Sequence, residues 1–140
     1  FLKYLYTHSL TANEELSNRK FEIEHLVPVE KLKPVAAEQG LPIGAFPNLC
    51  LLDLDLNRSK GGRTFYEYYD AEVKAGNLTA DQATAELTRV EQYSHTRRED
   101  LQFVSDGLTG DAYFRFLDKR VEKLKELFFD YNGITDSPEN

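Results

Sequence analysis

Two short segments with strand character are separated by 21 residues in a chain that otherwise favours helix. In the first, residues 20–26, Phe21, Ile23 and His25 alternate with Glu22 and Glu24, the period of a strand with two unlike faces. The second opens at Asn48 and runs NLCLLD, a compact apolar strand. Two strands make a sheet too small to stand alone, so helices must cover it. Between the strands, residues 29–39 carry Pro34 in mid-run, which predicts a loop with a short helix rather than one long helix. The following LPIGAFPN is rich in turn formers. After the second strand, residues 54–60 return to polarity as a helical turn bearing Asn57, Arg58 and Lys60, broken by Gly61-Gly62.

The rest reads as helix. TFYEYYDAEVKAG ends at Gly76. Thr79 then caps a run with Ala83, Leu87 and Val90 on one face, extending toward Phe103 and Val104. Asp111 is expected to cap a last helix carrying Phe114, Leu117, Val121, Leu124 and Phe128. The helical spacing of Phe65, Tyr66, Tyr68 and Tyr69 predicts core packing rather than stacking on bases. Residues 1–10 read as a short helix, 11–20 as a polar connector, and ITDSPEN as a fraying end. The expected architecture is α+β and a single domain over 1–140. A strand–strand–helix unit at about 20–66 packs on a mainly helical bundle over 67–132. FLKYLY reads as the tail of a helix, so the chain is expected to be the C-terminal part of a longer protein.

Composition narrows the function. The net charge of −7 argues against gripping nucleic acid by bulk electrostatics, but it is uneven. Residues 1–70 carry 8 basic against 10 acidic side chains, and residues 71–140 carry 9 against 14. The half with the strands is therefore nearly neutral. A lone cysteine, Cys50, excludes an internal disulfide and a cysteine-rich zinc site; it reads as a small buried hydrophobe in a reducing, cytoplasmic setting. No apolar run approaches the roughly 18 residues a membrane helix needs, so no membrane partner is expected.

The polar residues around the strands suggest a reaction. Glu24 is a hard oxygen donor suited to Mg²⁺, with Mn²⁺ as the alternative. His25, next to it, is the residue type suited to act as a general base and take a proton from water near neutrality. A strand end before Pro28 would bring these neighbours to one cavity. Asn57 supplies a second metal-binding oxygen, and Glu22, on the strand face of Glu24, is a candidate outer acid. Asn48 is expected to tie down the loop near His25 through its backbone. Arg58, Lys60 and Arg63 flank the group as phosphate contacts. His8 has no acidic or histidine neighbour at ligand spacing, and His95 with Arg97 and Arg98 reads by default as a solvated helix face. There is neither a Walker-type phosphate loop nor a Ser-His-Asp grouping.

EIEHLVP, then NLCLL, then LNRSKG resembles the His-Asn-His (HNH) nuclease superfamily in its variant with asparagine at the third position. More narrowly, it resembles the C-terminal nuclease domain of GmrSD-type restriction proteins. The resemblance covers about a third of the chain. It implies a ββα-metal fold and a DNA endonuclease acting in restriction of foreign or modified phage DNA. An N-terminal nucleotide-using domain of the same longer protein would be its partner. Under it His25 matches the general base, Glu24 and Asn57 the metal-binding residues, and Asn48 the middle asparagine. Many members have aspartate where Glu24 stands. The rival expectation is a helical interaction or sensor domain that keeps a decayed nuclease unit. An RNA-cutting toxin would share the chemistry.

Overall fold

The structure, a computed structural model, describes residues 19–131. The expected first helix, most of the connector, His8 and the chain end from 132 lie outside the described residues. The architecture is α+β: a two-stranded antiparallel sheet and, among the described residues, six α-helices.

Strand β1 (Phe21–His25) pairs with β2 (Leu49–Asp53), from Phe21 opposite Asp53 to His25 opposite Leu49. The ladder continues one bond beyond each end, with Leu54 N donating to Lys20 O at 2.9 Å and Leu26 N to Asn48 O at 2.7 Å. Cross-strand partners share a face. Glu22 and Glu24 therefore lie on the side of Leu52 and Cys50, which are buried. Ile23, on the opposite side, is 61% exposed. Of the apolar members of the alternation, Ile23 faces water while Phe21 packs on the core edge-on to Tyr93, and the acids share the face of buried Cys50 and Leu52.

The connection between the strands corrects one expectation. Helix α1 (Val29–Gln39) is continuous through Pro34. Proline removes the bond to the carbonyl of Glu30, but both residues are on the exposed side, where water can replace it. Burial of Leu32 and the packing of Val35 and Ala36 hold the helix on the core until Gly40, at φ 64°, ends it. A 3₁₀ turn, Phe46–Asn48, leads into β2. Asn48 is completely buried. Its Oδ1 accepts from Val27 N at 2.9 Å, and its Nδ2 donates to Val27 O at 3.2 Å and to Ile43 O at 3.5 Å.

Helix α2 (Leu54–Lys60) starts on Asp53, whose side chain accepts from Leu56 N, and stops at Gly61, φ 57°. Helix α3 (Phe65–Lys74) opens on a capping box between Thr64 and Glu67. Phe65, Tyr66 and Tyr69 are buried in the core, and Tyr68 packs against it. Helix α4 (Ala80–Ser94) opens on a second box, Thr79 with Gln82, and buries Ala83, Leu87 and Val90. It does not reach Phe103: His95 adopts the left-handed conformation at φ 55° and ends it, and a separate α5 spans Arg98–Asp106. The last helix, α6 (Gly110–Tyr131), is capped by Thr109, whose hydroxyl accepts from Ala112 N, and not by Asp111. Its buried stripe is Tyr113, Phe116, Leu117, Arg120 and Leu124, which leaves Phe114 48% exposed. Polar anchors set that rotation. Tyr113 donates its hydroxyl to Pro42 O at 3.0 Å, and Arg120 reaches the carbonyls of Pro47, Ser94 and His95.

Replacing Asn48 with alanine would strand the buried N–H and C=O of Val27. Each orphaned group costs about 1–3 kcal/mol. Asn48→Ala is expected to lower the unfolding free energy by about 2–4 kcal/mol, read from the urea midpoint at unchanged slope. A loss under about 1 kcal/mol would show that the Asn48 bonds do not secure this corner.

Candidate active site

His25 is the last residue of β1, and the Asn48 bonds fix the backbone just after it. On a regular strand Glu24 and His25 would point apart. At this strand end the Glu24 carboxylate folds back. Its Oε1 accepts the backbone N–H of His25 at 2.6 Å and lies 3.4 Å from the ring Nδ1. Both side chains are roughly a quarter exposed, within reach of solvent. The carboxylate lies on the Nδ1 side of the ring.

Helix α2 lies over the same strand face. Asn57, half-buried, donates through Nδ2 to Glu22 Oε1, so the acid in direct contact with Asn57 is Glu22. One turn later Lys60 is almost fully buried and donates through Nζ to the carbonyls of Gly61 at 3.3 Å and Arg63 at 3.2 Å. Burial pulls its pKa below the ordinary lysine range, and the charge of Glu24 is the largest influence in the opposite direction. Lys60 therefore faces the interior and is no surface phosphate contact. Arg58 is exposed. Arg63 is half-buried, bonded to Lys60 O at 3.1 Å and lying over the Tyr68 ring at 5.2 Å. Of the three expected phosphate contacts, only Arg58 is exposed.

Glu22, Glu24 and Asn57 are hard oxygen donors on one strand face and its covering helix. Among the described residues, no group of three or more His, Cys, Asp or Glu is placed to hold a metal ion. This donor set suits Mg²⁺, which takes one or two carboxylates and fills its remaining positions with water and substrate phosphate. Cys50 is no ligand: burial pushes its thiol up to about 12. A cleft of about 590 Å³ between α2, α3 and α4 and a groove of about 850 Å³ between α5 and α6 are lined by neither Glu24, His25 nor Asn57. The candidate group therefore lies apart from both.

His95 and Arg97 both line the groove between α5 and α6, whereas Arg98 does not. Arg98 pairs with both oxygens of Asp70 at 2.8 and 3.0 Å and lies over the Tyr66 ring at 4.9 Å. His95 closes α4, and its pKa is pushed down to about 4, by burial first and then by Arg120 and Lys123. Comparison with family models, curated proteins and solved structures returns no match to this chain.

The depressed histidine has a consequence for stability. The unfolded chain protonates His95 near pH 6.5, whereas the folded chain does so near 4. Its contribution is full above pH 6.5 and is lost as pH falls toward 4. Solvent screens part of the penalty at this half-buried ring, so the expected loss is about 2 kcal/mol. Asparagine tolerates the left-handed conformation and does not titrate. Urea unfolding at pH 4.5 and 7 should show the His95→Asn variant losing less stability than the parent. Equal slopes would contradict the assignment.

Proposed function

We propose that this chain is a metal-dependent endonuclease domain of the His-Asn-His type, with β1, β2 and α2 as its ββα-metal unit. The observation that carries this reading is the convergence at one corner. Glu24 contacts both the backbone and the ring of His25, and α2 lays Asn57 on the same strand. Glu24 and His25 are joined at the end of β1, and Asn57 approaches the same strand through Glu22.

In this reading Glu24 and Asn57 hold one Mg²⁺ or Mn²⁺, which when bound offsets charge on the scissile phosphate. His25, its Nδ1 steadied by Glu24, takes the proton from the attacking water at Nε2. Asn48 keeps that imidazole in place through the Val27 backbone. Arg58, exposed on α2, holds a neighbouring phosphate without reading sequence. The substrate proposed is DNA, foreign or modified, as in restriction and phage defence. A nucleotide-using domain of the same longer protein would supply the DNA grip that a net charge of −7 does not.

That same charge favours the rival, a helical sensor or interaction domain with a decayed nuclease unit. Plasmid nicking separates them. The nuclease relaxes supercoiled DNA with Mg²⁺ or Mn²⁺, and His25→Ala lowers the rate about 10²–10⁴-fold at unchanged melting temperature. Unchanged cleavage by His25→Ala would rule out its role as base. Absence of divalent-ion binding by the parent chain would favour the rival. Preference for RNA over DNA under the same conditions would indicate the toxin reading.

A further inference from the structure

We infer that Glu22 is a positioning residue for the proposed metal site, fixing which end of the Asn57 amide faces the cation; this rests on the nuclease reading above. Glu22 stands two residues before Glu24, on the same face of β1. Its carboxylate meets Asn57 from the covering helix, and both side chains are half-buried.

The chemistry follows from an asymmetry. A primary amide has a donor end and an acceptor end, and rotation about its last bond exchanges them. An ionised carboxylate only accepts. Asn57 must therefore give Glu22 its nitrogen, and its oxygen is turned away from Glu22. A cation needs that oxygen; the nitrogen would present it with two positive hydrogens. Without Glu22, rotation leaves the two ends interchangeable and the ligand atom is no longer selected. Glu24 remains at the His25 contact throughout, so the two acids divide the work: Glu24 at the histidine, Glu22 at the amide. Such outer partners typically change metal affinity about 10–100-fold.

A double-mutant cycle on Mn²⁺ binding tests this, using the full chain and isothermal titration calorimetry, with melting curves to verify the fold. Glu22→Ala is expected to weaken Mn²⁺ binding about 10-fold or more. Asn57→Ala is expected to weaken it too, and the double variant should be no weaker than Asn57→Ala alone, because Glu22 acts through that amide. If the two losses multiply, Glu22 acts as a ligand or through its charge, and the positioning role is overturned. Wild-type affinity in Glu22→Ala overturns it as well and leaves the nuclease reading standing. If the parent chain binds no Mn²⁺, the nuclease reading and the positioning role fall together. Glu22→Gln keeps the volume and one acceptor oxygen, and repeats the cycle should the alanine variant fail to fold. It is expected to bind between the parent and Glu22→Ala, and to have no effect beside Asn57→Ala. Affinity equal to the parent's at an intact fold would overturn the role.

Discussion

Asn48 uses both ends of one amide to hold the corner on which the candidate site is built. The chain leaves β1 at His25, runs through a helix and two turns, and returns at Leu49 opposite its starting point. Closing so long a connection has an entropic cost that two five-residue strands offset poorly. Donor and acceptor bonds from Asn48 to Val27, with a third to Ile43, close the loop at its neck in a dry environment. Helix α6 supports the same neck from behind through Tyr113 at Pro42 and Arg120 at Pro47. Arg120 also caps the carbonyls at the end of α4, so one buried guanidinium joins the two longest helices to the turn that delivers Asn48. The helical half has no catalytic candidate, yet it fixes where His25 stands.

The sheet is unusual in what it turns inward. A half-buried two-stranded sheet ordinarily puts its apolar set on the core and its acids in water. Here Glu22 and Glu24 share the face of Cys50 and Leu52, while Ile23 faces solvent. Carboxylates on a packed face lose hydration and must be compensated. Glu22 has the Asn57 amide, and Glu24 has the His25 N–H together with the nearby charge of buried Lys60. Such a reversal costs stability, and violations of local rules of this kind concentrate at functional sites.

The strand–strand–helix order, the cap at Thr79, and the core role of Phe65, Tyr66 and Tyr69 were legible in the sequence because each rests on local periodicity or capping chemistry. The failures share a cause. Pro34 was read as a breaker, although it falls on the solvent side of a helix held by Leu32. Phe114 was placed on the buried stripe because it is apolar, but Tyr113 and Arg120 set the rotation through carbonyls of the strand connection and α4. Lys60 was read as surface because it is charged. Its spacing was the available signal: one turn after Asn57, it shares that residue's side of α2 and faces the sheet. The Glu22 contact with Asn57 was out of reach, since α2 had first to be laid across β1.

Burial of Lys60 also bears on how an acidic protein could handle a polyanion. A surface lysine adds attraction at long range but is screened by salt. An interior lysine adds little long-range attraction, yet its charge interacts with that of Glu24 where dielectric screening is weaker. Under the nuclease reading its position suits the support of Glu24, the proposed metal ligand, rather than DNA capture. On the proposed reading, capture would fall to exposed cations such as Arg58 and to the partner domain proposed above. Under the proposed nuclease reading, a buried lysine acting on an acid of the site and a net charge of −7 describe a domain suited to cleaving a strand more than to gripping one.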